Sequence, residues 1–304
     1  MNHFEIRVPA SIANLGPGFD TLAVAVQLYL RLRVRRGTGN NELHFQFERP
    51  LDGENYVERA FRFVAGQHGG VFPSLEIDVQ SEIPTKSGLG SSAAATVAGL
   101  RLYEAIAGPL PPQGLLNAAC ALEHHPDNVA AALLGGLTVS CQLPDRSVVA
   151  LSSAWPESLE FLVLTPEFAL PTSESRNALP KMVPREDAVF NLQRVSMLLG
   201  ALQTGRFALL REALQDRIHQ PFRQELVPGL AQALALEHPD LLGVCLSGAG
   251  PSIVAFAERR FDALRALLEQ AFAPTGIPFQ IRRLRAHNGD SSDSAQSGCH
   301  FRLA

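Results

Sequence analysis

The sequence predicts an α+β protein made of two domains. The first half begins with stretches in which apolar and polar residues alternate, the period of a β-strand, and helical segments are inserted between them. The second half mixes strands with amphipathic helices, without the regular alternation of a doubly wound parallel sheet. The 304 residues suit two domains, and the content of 46% hydrophobic and 18% charged residues indicates a well-filled core.

The residue period defines the elements of the first half. Residues 3–15 and 21–36 alternate as strands, and Arg31, Arg33 and Arg35 are predicted to face water because apolar residues stand between them. The remaining elements are helices over 55–70, 93–108 and 112–125, a strand over 74–84, and a short helix that runs into a strand over 127–141.

The second half begins where the composition changes. Residues 143–160 are polar and proline-rich, which predicts a boundary between a domain over 1–155 and a domain over 156–304. The Ser- and Asp-rich residues from Asn288 to Ala304 predict a loose tail. Strands are predicted over 159–166, 241–257 (two strands joined by a glycine turn) and 279–286, and helices over 188–205, 207–216 and 260–273.

Composition argues against several classes of function. The formal net charge of −4 does not suit a nucleic-acid-binding protein, because binding to a phosphate backbone needs excess positive charge. The four cysteines show no paired spacing, so neither a zinc site nor a disulfide framework is expected. No apolar stretch reaches the length of about 18 residues that spans a membrane, and the first residues do not resemble a signal peptide. We therefore expect a cytoplasmic protein.

The stretch "SEIPTKSGLGSSAAATVAGL" (81–100) is the first candidate site. Gly88 and Gly90 permit close backbone approach, and Ser91 and Ser92 stand where a helix should begin. A polyphosphate would meet backbone N–H groups, the helix dipole, hydroxyl groups and the ammonium of Lys86. A glycine turn with a serine N-cap explains the same residues, and this stretch alone leaves both interpretations open.

Two other stretches have unusual turns. In "PASIANLGPGFD" (9–20), the carboxylate of Asp20 precedes an apolar strand and needs a partner there. In "LSGAGPS" (246–252), small residues between two apolar strands allow a backbone or a ligand to come close. Each stretch alone is typical of an ordinary turn.

Together, in this order and spacing between Val8 and Val254, the three motifs resemble those of the GHMP kinase superfamily. The resemblance implies an N-terminal domain like domain 2 of ribosomal protein S5 and a ferredoxin-like C-terminal domain. ATP is expected between them, with its phosphates on residues 88–92. The stretches "EHHPDNVAAALLGGL" (123–137), "LPTSESRNALP" (170–180) and "HQPFRQELVPG" (219–229) resemble the homoserine kinase family of that superfamily.

The resemblance implies transfer of the γ-phosphoryl group of ATP to the side-chain hydroxyl of L-homoserine, a step of threonine biosynthesis. It assigns Mg²⁺ to Ser92 and Glu123, whose oxygens suit a hard cation. Asn55 matches an asparagine that faces adenine. The other residues expected around the nucleotide are Pro84, Lys86, Ser87, Gly88, Leu89, Gly90, Ser91 and Ser92.

The substrate is a zwitterion with a hydroxyl group, and the resemblance assigns a residue to each of its groups. Arg176 and Arg223 are expected to hold the carboxylate through guanidinium groups, and Asp20 the ammonium. Asn14, His125, Asn128, Thr172 and Gly248 match further substrate-contacting positions, and the residues implied in catalysis are Ser92, Glu123, Asn128 and Asp20.

No dedicated general base is predicted. Mevalonate and galactose kinases have an aspartate near the accepting hydroxyl, and Asn128 rather than Asp127 aligns with it. The proton is then expected to pass to phosphate oxygens or to water, while catalysis depends on orientation and on fixed charges.

Two other functions agree with part of the pattern. A mevalonate-type kinase would not need two arginines for a carboxylate beside an acceptor for an ammonium. A non-catalytic binding or regulatory protein of this fold would predict decay of the 88–92 loop or loss of the acidic metal ligand, and the sequence keeps both. The resemblance further implies a homodimer.

Overall fold

The computed structural model describes residues 3–51, 53–123 and 125–289, and it has the predicted α+β architecture. Its first sheet has the strand order β3-β4-β2-β5-β6, and β1 pairs with β2. The pairs are antiparallel except for β3 and β4, which are parallel. The strands are β1 (His3–Ala13), β2 (Leu22–Asn40), β3 (Leu43–Phe47), β4 (Pro73–Ser81), β5 (Leu137–Gln142) and β6 (Val148–Ser153).

Strand β2 is the centre of this sheet, and its two faces differ as predicted. Leu30, Leu32 and Val34 are buried in the core, while the arginines between them are partly or fully exposed. Those arginines form ion pairs with carboxylates on the neighbouring strands, such as Arg33 with Glu5 at 3.6 Å. The stripe of arginines is therefore the water-facing side of a sheet.

Four helices cover the apolar face of the first sheet, and α2 is the longest of them. Its small side chains allow close approach, since a Cβ atom at Gly99 would collide with the carbonyl oxygen of Val57 on α1. The helix ends at its C-cap, Gly108, as predicted. The four helices are α1 (Tyr56–His68), α2 (Ser91–Ala107), α3 (Pro112–Glu123) and α4 (Pro126–Leu134).

The second sheet is antiparallel, with the order β10-β7-β9-β8. Counted along this half of the chain, that order is 4-1-3-2, the order of a ferredoxin-like domain. Its strands are β7 (Glu160–Pro166), β8 (Gly243–Leu246), β9 (Ile253–Ala257) and β10 (Phe279–Leu284). The helices are α5 (Thr172–Asn177), α6 (Arg185–Thr204), α7 (Leu210–Ala213), α8 (Gln220–Arg223), α9 (Leu230–Leu234) and α10 (Phe261–Phe272).

Some sequence predictions were wrong. Strands β3 and β6 were not predicted, and β6 lies inside the polar segment 143–160, because an exposed strand of a hairpin carries polar residues on one face. The helix predicted over 207–216 is only a 3₁₀ turn followed by α7, since the Asp216 carboxylate accepts hydrogen bonds from downstream N–H groups and starts a new helix.

The chain returns to the first sheet after β10. The N–H group of His287 donates to the carbonyl of Ala25 (2.8 Å), and Asn288 exchanges two hydrogen bonds with the backbone of Trp155. Asn288 is thus held in place, against the prediction that the loose tail begins there, while residues 290–304 of that predicted tail lie outside the described residues. Within the described parts of the chain, none of the helices has the length and apolar character that crossing a bilayer requires.

Candidate active site

The three motifs that stood out in the sequence meet in space. Residues 84–92 lie between the first strand and turn (9–20) on one side and the turn 246–252 of the second sheet on the other. The contacts are hydrogen bonds from Ser11 N to Leu89 O (3.2 Å), from Ser252 N to Ser87 O (3.0 Å), from Ser247 Oγ to Gly88 O (2.7 Å) and from Gly248 N to Ala13 O (3.1 Å).

Gly88 and Gly90 are required by this packing. Both have positive φ angles, 81° and 69°, which residues with a side chain rarely adopt. A Cβ atom at Gly88 would collide with the carbonyl oxygen of Ser247, and one at Gly90 with the hydroxyl of Ser11. The close approach predicted from the glycines is thus between backbone segments of the protein itself.

In the loop 86–92, the backbone carbonyl groups and the backbone N–H groups differ in their hydrogen bonding to the rest of the protein. The carbonyl oxygens of residues 86, 87, 88 and 89 all accept hydrogen bonds from other segments. In contrast, no described residue accepts a hydrogen bond from the N–H groups of residues 88–92. Helix α2 begins at Ser91 after an N-cap, Gly90, that has no side-chain cap. The serine-capped turn is therefore excluded, and a row of free N–H groups stands at the positive end of a buried helix.

Other predicted nucleotide residues lie in and beside this loop. The Ser87 hydroxyl donates to the Pro84 carbonyl (2.8 Å), which tightens the turn before the glycines. Lys86 is exposed and has a positive φ of 54°. Asn55 lies elsewhere, at the start of α1, where its side chain caps the helix by accepting from the N–H group of Glu58 (3.2 Å).

Glu123 and Ser92 are brought together as the family resemblance implied. The Ser92 hydroxyl lies 2.7 and 2.9 Å from the two carboxylate oxygens of Glu123, the last residue of α3. Thr96, one turn further along α2, also donates to Glu123 (2.7 Å), and Nη2 of Arg59 lies 3.4 Å away. Sequence reasoning missed Thr96, although its i+4 spacing from Ser92 places both hydroxyls on one face of the helix.

Asn14 connects the first turn to the second sheet. It is buried, with a positive φ of 69°, and its Oδ1 accepts from the N–H group of Asp20 (3.1 Å). Its Nδ2 donates to the carbonyl of Gly248 (2.9 Å). The amide therefore orients Asp20, the residue that the sequence singled out as a carboxylate in need of a partner.

Asp20 has that partner in Arg176 of α5. Nη1 and Nη2 of Arg176 donate to the two carboxylate oxygens at 3.0 and 2.7 Å, and Nη2 also lies 3.1 Å from Nδ1 of His125, the N-cap of α4. Nε of Arg176 is buried, and no described residue accepts from it. Thr172, a further predicted substrate residue, is the exposed first residue of the same helix.

Arg223 also lies near Phe19: the Cζ atoms of Arg176 and Arg223 are 5.3 and 5.4 Å from the centre of that ring. Arg223 is buried, and its Nη1 donates to the carbonyl of Gly248 (3.0 Å). Burial, together with the nearby charge of Arg176, lowers the pKa of Arg223 to about 10, so the group is still charged at neutral pH. Two guanidinium groups from separate segments thus approach one aromatic ring.

Asn128 and Asp127 are at the beginning of α4, beside the glycine loop. Oδ1 of Asn128 accepts from the hydroxyl of Ser11 (2.8 Å), and its Nδ2 donates to Oδ1 of Asp127 (3.1 Å). Burial and, next, the charge of Asp20 raise the pKa of Asp127 to about 6. The structure therefore has a buried carboxyl group adjacent to Asn128, the residue that the sequence analysis aligned with the aspartate of related kinases.

Comparison with known proteins agrees with this arrangement. The models for the GHMP kinases N terminal domain and the GHMP kinases C terminal domain match residues 55–136 and 198–272. The homoserine kinases of Solibacter usitatus (strain Ellin6076) and Moorella thermoacetica (strain ATCC 39073 / JCM 9320) are each 40% identical to this chain. These matches cover 90% and 93% of this chain, and 91% and 97% of the two relatives.

Structural comparison leads to the same group of proteins. The crystal structure of the homoserine kinase from Cytophaga hutchinsonii ATCC 33406 superposes with a TM-score of 0.83, over 95% of this chain and 96% of that chain, at 26% identity. The chain therefore belongs to the GHMP kinases and, within that superfamily, to the family of the homoserine kinases, which are ATP-dependent enzymes that phosphorylate a hydroxyl group.

Proposed function

We propose that this protein transfers the γ-phosphoryl group of ATP to the side-chain hydroxyl of L-homoserine, with Mg²⁺, and releases O-phospho-L-homoserine. One observation carries the proposal: the turn 246–252 joins two chemically different regions. On one side it contacts the loop with free N–H groups, through the hydrogen bond from Ser247 to Gly88. On the other side the Gly248 carbonyl accepts from Asn14 and Arg223, in a cluster suited to an amino acid.

The nucleotide is assigned to the loop. The N–H groups of residues 88–92 bind its phosphates, with the hydroxyl of Ser91 and the ammonium of Lys86 beside them. Because the carbonyl oxygens of the loop are already hydrogen-bonded, the donors keep their orientation without reorganisation during the reaction. Asn55, at the start of α1, is assigned to the adenine side.

Mg²⁺ is assigned to Ser92 and Glu123. Carboxylate and hydroxyl oxygens are ligands that Mg²⁺ accepts, and it binds through few protein groups because it keeps several waters. Bound there, the ion would neutralise charge on the transferred phosphoryl group. Thr96 orients Glu123 from the next turn of α2.

Homoserine is assigned to the charged cluster. Its carboxylate binds Arg176 and Arg223, and its ammonium binds Asp20, so the two charges of the substrate match the two signs of charge present. The buried Nε of Arg176, which has no acceptor among the described residues, supports a ligand oxygen at this position. Asn14, His125, Thr172 and Gly248 complete the set of positioning groups.

No side chain is assigned as general base. The carboxamide of Asn128 cannot take the hydroxyl proton, and Asn128 is assigned to orienting the acceptor instead. The proton passes to a phosphate oxygen or to water, while the fixed donors and the close placement of both substrates lower the barrier.

The proposal is tested by measuring ADP release with ATP and Mg²⁺ against homoserine, mevalonate, galactose and threonine. We expect turnover with homoserine and a much lower kcat/KM with each of the others. Turnover of mevalonate without turnover of homoserine would overturn the proposed substrate and leave the assignment to the GHMP kinase superfamily unchanged.

Two further features belong to the proposal. We place the domain boundary between residues 155 and 156, in the connection from β6 to β7. We also propose a homodimer, which size-exclusion chromatography with light scattering would test by giving a mass of two chains.

A further inference from the structure

We infer that His219 and Asp216 are positioning residues that orient Arg223, so that only its Nη2 atom is left for the carboxylate of the substrate. This inference rests on the proposed role of Arg223 in binding that carboxylate. Neither side chain is exposed, and neither is part of the site assigned above.

The hydrogen bonds of Arg223 use one side of its guanidinium group. Nη1 donates to the carbonyl of Gly248 and to Nδ1 of His219, both at 3.0 Å, and Nε donates to the carbonyl of Ser175 at 3.4 Å. These bonds engage three of the five N–H donors of an arginine. Across the described parts of the chain, no acceptor lies within hydrogen-bonding distance of Nη2, so its two N–H groups are those available to a ligand.

His219 can hold Arg223 only in one protonation state. Its Nε2 lies 2.7 Å from the carbonyl oxygen of Gly16 and therefore carries the hydrogen, which leaves Nδ1 as the acceptor for Arg223. Burial lowers the pKa of His219, against the opposing effect of Asp216, and favours this neutral form. The charged groups that act on the ring are Asp216, Arg223 and Asp20.

Asp216 fixes the segment on which both residues stand. Its Oδ2 accepts from the N–H groups of His219 and Gln220 (2.9 and 2.6 Å), and its Oδ1 from the N–H group of Ile218 (3.0 Å) and from Nδ2 of Asn191 (2.6 Å). Helix α8 has only four residues and would not be stable alone. The buried carboxylate thus holds the first turn of the helix that carries Arg223.

The same imidazole connects Arg223 to the segment that ends in Asp20. His219 bonds to Gly16 and stacks on Phe19, with ring centres 5.2 Å apart. The relative placement of the group for the carboxylate and the group for the ammonium therefore depends on His219. Such a link favours ligands in which both charges sit on one carbon, as in an α-amino acid.

The experiment compares His219→Phe with His219→Gln. Phenylalanine keeps a ring against Phe19 but has neither nitrogen, while glutamine supplies one donor and one acceptor. We expect His219→Phe to raise KM for homoserine about tenfold, the cost of one lost hydrogen bond to a charged group, with KM for ATP unchanged. His219→Gln should recover most of the loss. Equal KM values for homoserine in His219→Phe and the wild type would overturn the inference.

A double-mutant cycle separates positioning from a general structural defect. If His219 acts through Arg223, His219→Phe should have little further effect on KM in an Arg223→Ala background, whereas additive losses would contradict the inference. If Arg223→Ala alone leaves KM for homoserine unchanged, the proposed carboxylate role of Arg223 fails instead. Thr138→Val is the control, since it removes a buried hydroxyl of the first sheet, bonded to Ala23, and should leave both KM values unchanged.

Stability of the variants is checked by thermal unfolding and by binding of ADP. If His219→Phe is not recovered folded, His219→Asn takes its place, because its polar side chain is too short to reach both Gly16 and Arg223. The expected result is the same rise in KM for homoserine, and an unchanged KM would overturn the inference.

Discussion

The loop 84–92 and the charged cluster around Phe19, which consists of Asp20, Arg176 and Arg223, are built in opposite ways. The loop presents backbone N–H groups whose direction is set by hydrogen bonds to every carbonyl oxygen of residues 86–89. The cluster presents side-chain charges, and two of these, Asp20 and Arg176, are paired with each other. The proposed nucleotide site is thus rigid because of its backbone, whereas the proposed amino-acid site must exchange one ion pair for the charges of its ligand.

The largest effect is expected where a substitution moves the backbone of the loop. In Gly88→Ala the new methyl group meets the Ser247 carbonyl at a φ of 81°, so the loop must shift and its N–H groups lose their direction. We expect kcat/KM for ATP to fall by roughly 100-fold, as when fixed transition-state donors are lost. Steady-state kinetics with varied ATP measure this.

Gly200→Ala is the matched control for Gly88→Ala. Gly200 lies inside α6, where a Cβ atom would meet nothing within 4 Å. This change should raise stability by about 0.5–1 kcal/mol, through higher helix propensity, and leave kcat/KM unchanged. A Gly88→Ala variant that is as active as Gly200→Ala would show that the loop is not the rigid part of the site.

The next largest effect is expected from breaking the ion pair. Asp20→Asn should raise KM for homoserine about 30-fold, because a charge-assisted contact with the ammonium is lost, while kcat stays within about threefold. The pair is about one-third exposed, so little change in unfolding temperature should accompany it. Kinetics at saturating ATP measure both constants. A fall in kcat with KM unchanged would instead make Asp20 the general base.

These two regions also differ in how far the sequence could predict them. The free N–H groups of the loop follow from residues near one another in the chain, namely Gly88, Gly90 and the helix start at Ser91. The cluster depends on tertiary contacts between Asp20 and Arg176, which are 156 positions apart. The residue pattern marked Asp20 as a carboxylate that needs a partner, but only the resemblance to a family pointed to Arg176.

The residues that support the site were even harder to predict from the sequence. Asp216 was predicted to be the last residue of the helix over 207–216, with His219 beyond it, and the roles of both residues appear only once the chain turns at Asp216. Strand β6 was missed for a related reason, since its exposed residues obscure its pairing with β5. Local pattern predicted the long buried elements well, because their periodicity is set by one large apolar core.

A smaller effect is expected at Thr96. Thr96→Val removes the hydroxyl that donates to Glu123 and keeps the volume of the buried side chain. Glu123 keeps its contacts with Ser92, so we expect only about a threefold rise in the Mg²⁺ concentration required for half-maximal rate. This is less than the roughly 10–100-fold cost that is typical when a group that orients a metal ligand is lost. Titration with Mg²⁺ at fixed ATP measures it, and Ser92→Ala should have a larger effect. An equal or smaller effect of Ser92→Ala would contradict the assignment of Ser92 to the metal.

The smallest effect on turnover is expected at Asp127. If no side chain takes the hydroxyl proton, Asp127→Asn should keep kcat within about threefold, well below the effect of removing a general base. The asparagine oxygen can still accept from the N–H group of Asn128, as the carboxylate does at 2.7 Å. A loss of 100-fold or more in kcat would identify Asp127 as the base.

Stability of this variant should change with pH in a defined direction. The pKa of Asp127 is raised from 3.8 to about 6 in the folded protein, so the folded state binds more protons than the unfolded state between these values. The free energy of unfolding of the wild type therefore loses roughly 2–3 kcal/mol as pH rises through this window. Because asparagine does not ionise, Asp127→Asn does not lose this stability. Its free energy of unfolding should therefore exceed that of the wild type at pH 8, and the difference should shrink towards pH 4.

Asp145 is expected to change the stability with pH in the opposite direction, which makes Asp145→Asn a suitable control. Hydrogen bonds from the side chain and the backbone of Ser147 lower the pKa of Asp145, so its charged form favours folding. Asp145→Asn should thus be no more stable than the wild type at pH 8, and its deficit should diminish as the pH falls below 4. Urea unfolding of the three proteins at pH 3, 4, 6 and 8 measures these differences. If Asp127→Asn gains no stability over the wild type between pH 4 and 8, the Asp127 carboxyl is not held in a raised-pKa environment, and the buried charge beside Asn128 must be compensated by the arginines of the cluster.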